Sequence, residues 1–306
     1  MAPAVKSGIA ALILSAGIAT SAAGPFEDGT TAYDKGDYAT AMRIWRPLAD
    51  QGNALAQIRI GGMYADGDGL TRDYDEAIKW FRRAAEQGNA RAQFNLGTIY
   101  QNGQGVTQNI AETIKWYSLA ARQGHLGAQF NLGTIYAEGQ GVPKDDAEAA
   151  KWYRLAAEQG HSGAQFNVAQ RYAKGQGLPQ NDAEAVKWAT LAANQGHVLA
   201  QYNLGIMYAR GRGVRQDHTE AAKWYRLAAE QGYVLAQSSL SLQYSKGVGV
   251  PLDLVQALKW INIAIARGDS RAAKDRENLV QQMTPAQIAQ AQKLAREWRP
   301  SLPAPR

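Results

Sequence analysis

The sequence predicts an all-α chain, an α/α solenoid of stacked helix-turn-helix repeats, and three observations predict it. Trp80, Trp116, Trp152, Trp188, Trp224 and Trp260 recur every 36 residues, and so do Tyr64, Tyr100, Tyr136, Tyr172, Tyr208 and Tyr244. Each copy carries apolar residues at three-to-four spacing, the mark of an amphipathic helix, and no alternating strand pattern competes. Each copy also closes on glycine, at Gly88, Gly124, Gly160, Gly196, Gly232 and Gly268. A fixed period in this range signals repeats that bury their faces only by stacking on their neighbours.

Residues His125 to Gly160 show one repeat in full. Ala128, Phe130, Leu132, Gly133, Ile135 and Tyr136 form one face of a first helix, helix A. Gly139 and Gly141 then allow positive φ, and Pro143 stops the helix from continuing. Asp145 is placed to cap helix B, with Glu148 three residues on completing a capping box. Asp73 with Glu76, Asn109 with Glu112, Asn181 with Glu184 and Asp217 with Glu220 repeat that pair, and Asp253 precedes Gln256. Ala149, Trp152, Leu155, Ala156 and Ala157 are expected to form the buried stripe of helix B. Small residues such as Ala128, Gly133 and Ala149 admit close helix packing, and the Trp and Tyr ladders are assigned to the core because they keep the repeat's own period.

The segments A-Q-x-N-L-G-x-x-Y, G-x-G-V and E-A-x-K-W-Y-x-x-A-A-x-Q-G, seen at Ala128 to Tyr136 and Glu148 to Gly160, resemble the SEL-1-like repeat family, a tetratricopeptide-like class of α/α solenoid. The resemblance covers residues 53–268, as six 36-residue repeats. It implies a right-handed superhelix whose A helices line a concave face. It also implies a scaffold or adaptor without enzymatic activity, whose relatives serve envelope signalling, exopolysaccharide control or host interaction.

The flanks are read as caps. Residues 1–23 read as a signal peptide: Lys6 precedes an apolar run from Gly8 to Ala19, and Ser21 and Ala23 sit at the minus-three and minus-one places of a cleavage site. The run is shorter than the roughly 20 apolar residues a membrane span needs. The mature chain is therefore expected to be periplasmic or secreted, with no integral membrane segment. Residues 24–52 read as an abbreviated capping repeat, with Ala41, Ile44 and Trp45 on its inner stripe and Pro47 interrupting its second helix. Residues 269–306 read as capping helices and a disordered tail. Thr284, Pro285 and Gln287 take N-cap, N1 and N3 of a closing helix, whose Ile288, Ala291, Leu294, Ala295 and Trp298 face inward.

The composition excludes several chemistries. There are no cysteines, so disulfides, thiolate zinc sites and a lipid-anchoring cysteine are ruled out. The net charge of +6 is concentrated near the C-terminus and suits an acidic partner or surface. Nucleic acid is not expected, because no binding motif accompanies the charge. His125, His161 and His197 open successive repeats roughly 10 Å apart, too far to share one zinc with bonds of about 2.0 Å. They read as the polar start of helix A, a place held elsewhere by Asn53, Asn89 and Tyr233. The Gly-x-Gly pairs follow helices rather than strands, so phosphate binding is a poor reading. The glutamates recur one per repeat without converging. No catalytic site, metal or cofactor is expected.

A partner-binding stripe is predicted at positions 3, 7, 10 and 14 of each helix A, which the core leaves free. The candidate residues are Arg91, Asn95, Asn131, Asn167, Lys174, Asn203, Arg210 and Lys246. Asn95, Asn131, Asn167 and Asn203 form a ladder of amides suited to an extended peptide backbone, or to bonds within their own repeats. Position 14 runs Asp66, Asn102, Glu138, Lys174, Arg210, Lys246, acidic early and basic late. A protein or peptide partner is the leading expectation. A carbohydrate or cell-wall ligand is the alternative, and an enzyme acting on cell-wall-type substrates is the third.

Overall fold

The computed structural model describes residues 24–301, and the expected signal peptide and the last residues of the tail lie outside them. All secondary structure in the described residues is helical, and the chain divides into two compact units, one ending at Gln87 and one beginning at Gly88.

The first unit holds α1 (Pro25–Asp34), α2 (Tyr38–Asp50), α3 (Ala54–Asp66) and α4 (Tyr74–Glu86), the last two forming repeat one. Asp37 caps α2 by accepting from the Thr40 N–H at 3.1 Å. Trp45 is fully buried, and its indole N–H donates to the Phe26 carbonyl at 3.1 Å. Pro47 does not end α2, which runs on to Asp50. Buried Trp45 and Ala49 on either side hold the helix where proline removes one ladder bond.

The second unit carries repeats two to six: α5 (Ala90–Asn102) with α6 (Ile110–Arg122), α7 (Leu126–Glu138) with α8 (Asp146–Glu158), α9 (Ser162–Lys174) with α10 (Asp182–Asn194), α11 (Val198–Arg210) with α12 (His218–Glu230), and α13 (Val234–Lys246) with α14 (Leu254–Ala266). Within this unit α6 to α14 each pack on both sequence neighbours, α6 on α7, α8 on α9 and so on, as a stacked array requires. A 3₁₀ turn at Ser270–Ala272, α15 (Ala273–Val280) and α16 (Pro285–Glu297) follow. The expected last helix A is thus a short, broken one. The closing helix has the predicted capping box between Thr284 and Gln287. Ala291 is buried against α14, and the Trp298 ring meets Trp260 at 6.1 Å.

The loops explain the glycine pairs. Gly139 ends α7 at φ 70°, and its N–H bonds the Ile135 carbonyl at 2.9 Å. Gly177 is needed for contact as well: a Cβ there would stand 1.8 Å from the Asp146 carbonyl oxygen at the start of the preceding helix B.

Helix B starts with the predicted cap, as in the 2.9 Å bond from the Glu148 N–H to the Asp145 carboxylate, but the reverse half of the box does not form. The Asp145 N–H already donates to the Tyr136 carbonyl at 2.9 Å, and the same bond recurs at Asp73, Asn109, Asn181, Asp217 and Asp253. The glutamate, so released, pairs with lysine one turn on, Glu112 with Lys115 at 3.0 Å and Glu148 with Lys151 at 3.1 Å. Glu112 also accepts from the Trp116 indole at 2.9 Å.

Two core assignments change. Trp152 is 8% exposed and Ala149, Ala156 and Ala157 are buried, but Leu155 is 38% exposed. At 100° per residue it falls about 60° outside the arc shared by 149, 152, 153 and 156, on the flank beyond Trp152, and Tyr153 inside that arc takes the inward place. Leu119, Leu191 and Leu227 repeat the exposure. The tyrosines that end helix A are half-buried rather than fully enclosed.

Candidate functional site

Four of the five A helices of the second unit, α5, α7, α9 and α11, begin with a side-chain cap, and α13, which starts at Tyr233, does not. In repeats three to five the cap is histidine Nδ1, which accepts from the N–H of Ala128, Ala164 and Ala200 at 3.3, 3.1 and 3.3 Å. The imidazoles of His125, His161 and His197 also stack on Phe94, Phe130 and Phe166, with centroids 4.4, 4.3 and 4.7 Å apart. Burial, then the charge of Arg91, pushes the His125 pKa below its ordinary value. Among the described residues no three metal-ligating side chains cluster.

The four asparagines of the stripe occupy one register on α5, α7, α9 and α11 and are half-buried. They are not equivalent. Asn131 Nδ2 donates to the Tyr117 hydroxyl of the preceding repeat at 3.1 Å, a link between repeats. That hydroxyl also meets Thr98 Oγ1 at 3.1 Å and donates to Gln101 Oε1 at 2.8 Å. Among the described residues the side-chain amides of Asn95, Asn167 and Asn203 have no hydrogen-bond partner within the protein, so they are available.

Lys174, Arg210 and Lys246 are all exposed at the C-terminal ends of their helices, and Arg91 is exposed at the start of α5. The structure brings three of the eight candidates together. Lys174, Asn203 and Arg210, with Gln170 and Ile206 of the same stripe, line one cavity of about 340 Å³ between repeats four and five. Phe166, Ala169, Ala189 and Met207 supply its apolar wall. Arg212 closes one edge, held by an ion pair with Asp182 and a bond to the Ala173 carbonyl. Lys174 Nζ touches only the neutral Gln170 Oε1, at 3.3 Å, and neither Lys174 nor Arg210 has a carboxylate partner among the described residues. Lys246 lies apart, in a cavity of about 280 Å³ with Ser238, Ser245 and Asp275. Arg91, Asn95, Asn131 and Asn167 line neither.

The stripe named the rim of that cavity but missed what opens it. In repeats two, three and five the rings of Tyr117, Tyr153 and Tyr225 lie on Gly97, Gly133 and Gly205, where an added Cβ would stand 2.4, 2.6 and 2.6 Å from the ring. Repeat four has Ala189 for the tyrosine and Ala169 for the glycine. The missing ring leaves the space. The signal was the small residue in Lys187-Trp188-Ala189, where the other repeats carry the larger Phe81, Tyr117, Tyr153, Tyr225 and Ile261.

The comparisons agree with this architecture. The sequence pattern of the Sel1 repeat family matches residues 54–89, 90–125, 127–161, 162–197, 198–233 and 234–269. A protective antigen present in uropathogenic Escherichia coli strains, displaying an SLR fold, is 34% identical with a TM-score of 0.74, over 90% of this chain and 60% of that one. The chain thus spans about 60% of that antigen's length. A Sel1 repeat protein from Oxalobacter formigenes is 34% identical with a TM-score of 0.65, over 79% of this chain and 97% of that one. No curated protein matches the chain. With six consecutive repeats matched and the helix pairs stacked as described, the chain belongs to the Sel1 repeat family.

Proposed function

We propose that this protein is an exported, non-enzymatic scaffold that binds a protein or peptide along the A-helix stripe of its second unit, as an adaptor or regulator of a cell-envelope process. Sel1 repeats are protein-interaction scaffolds, which sets the class. The observation that carries the finer reading is the row of unpartnered groups. Asn95, Asn167 and Asn203 offer amides one per repeat, and Lys174 and Arg210 offer charge without a carboxylate. An extended backbone takes both chemistries, amide pairing for affinity and charge for orientation. The Escherichia coli relative is a protective antigen, which supports an envelope or exported setting. No helix of the described residues is long and apolar enough to cross a membrane.

The test is capture from an envelope extract with the full protein and with the folded Asn95→Ala/Asn167→Ala/Asn203→Ala variant. Asn131 is left intact because it ties two repeats together. A protein retained by the wild type and lost by the variant supports the stripe, whereas equal retention places the partner elsewhere. Mass measurement of the exported chain tests cleavage after Ala23.

A further inference from the structure

We propose that the cavity between repeats four and five receives a tyrosine side chain of an acidic segment of the partner. This rests on the scaffold reading above and names what one subsite would take.

The cavity occupies the place that the repeat itself fills with tyrosine. In repeat two the Tyr117 ring stacks on Phe94 at 5.4 Å, and its hydroxyl reaches Thr98 and Asn131. The same three repeat positions around the cavity are Phe166, Gln170 and Asn203, and all three line it. An aromatic wall and two amides therefore surround a volume from which Ala189 has withdrawn the ring. The protein's own neighbouring repeats show what fits there: an aromatic ring with a hydroxyl at its far end.

The rim selects the surroundings of that ring. Lys174 and Arg210 carry two positive charges without a carboxylate, and Arg212 is already paired with Asp182. Carboxylates flanking the inserted tyrosine would meet those charges at the edge of an apolar site, where charge complementarity favours an acidic chain over a basic one. A buried aromatic anchor with a charged rim is also the usual arrangement of an interface hot spot.

The experiment is fluorescence anisotropy with a labelled pentapeptide, Asp-Glu-Tyr-Glu-Asp, and with versions carrying Phe or Ala for the tyrosine or Lys for every acid. The protein is used whole, as wild type and as Ala169→Gly/Ala189→Tyr, which restores the pattern of repeats two, three and five and fills the cavity from within. Circular dichroism and the unfolding temperature verify that this variant folds. Lys174→Glu/Arg210→Glu, at two exposed positions, is the second variant. The expected result is saturable binding to the wild type. It should weaken by on the order of tenfold or more with the alanine peptide, with the filled variant and with the charge-reversed variant, and fail with the lysine peptide. Equal binding to wild type and filled variant overturns the subsite, as does no binding at millimolar peptide. Asn95→Ala/Asn167→Ala, outside the cavity, separates the two readings. If it alone loses the peptide, the stripe stands and the subsite falls. If only the filled and charge-reversed variants lose it, the subsite stands without the wider stripe.

Discussion

Gln159 Nε2 donates to the buried Oε1 of Gln129 at 2.7 Å, across 30 residues of sequence, while Gln129 Nε2 donates to the Ala121 carbonyl at the end of the preceding repeat at 3.0 Å. One amide thus closes its own helix pair and ties it to the pair before. The arrangement recurs at Gln57 with Gln87, Gln165 with Gln195 and Gln201 with Gln231. Gln129→Leu should cost about 1–3 kcal/mol, because it leaves buried polar groups without partners. In repeat six Arg267 stands where the second glutamine would be, and Gln237 Oε1 has no donor. Gln237→Leu should therefore cost less than Gln129→Leu, and urea unfolding of the two variants checks the order.

Glycine in helix A is required only where a ring lies on it. Gly133→Ala should destabilise by roughly 1–3 kcal/mol, since the new Cβ would meet the Tyr153 ring at 2.6 Å. Gly62 has nothing within 4 Å of its would-be Cβ, so Gly62→Ala should be neutral or stabilising by up to about 1 kcal/mol. Thermal unfolding of the pair decides, and opposite signs are expected.

Helix B offers a second contrast. Trp152→Ala should cost about 3–5 kcal/mol, while Leu155→Ala, three residues away on the exposed face, should stay within about 0.5 kcal/mol. Equal losses would mean that the exposed leucines are covered in solution.

The histidine caps make stability depend on pH. Nδ1 must be unprotonated to accept the amide bond, and His125 has its pKa lowered in the fold by burial and then by Arg91. A depressed histidine pKa means that the unfolded chain binds the extra proton first. The stabilisation is therefore complete above the ordinary imidazole value of about 6.5 and declines as pH falls below it. His125→Asn keeps a cap of the kind seen at Asn89 and removes the titration. Wild type should lose stability between pH 7.5 and 5 relative to this variant by up to the worth of one cap, about 0.5–2 kcal/mol, read as a difference in unfolding temperature.

The period of Trp, Tyr and Gly, the caps of helix B and the capping box at Thr284 were legible in the sequence because each is a local or periodic constraint. Helix spacing, turn chemistry and side-chain capping act within a few residues, and a repeat copies them. Tertiary structure alone decided what depends on neighbours. The helix B glutamates turn to lysine because the Tyr136 carbonyl and its equivalents already hold the cap N–H. Leu155 points outward because stacking makes Tyr153 the inward residue. Asn131 is bound to the Tyr117 hydroxyl, whereas the Tyr153 hydroxyl one repeat on donates to Thr134 and Ala189 offers Asn203 none. The cavity at Ala189 exists because one repeat lacks a ring that its neighbours supply, and a space of that kind is a property of packed helices rather than of any single stretch of chain.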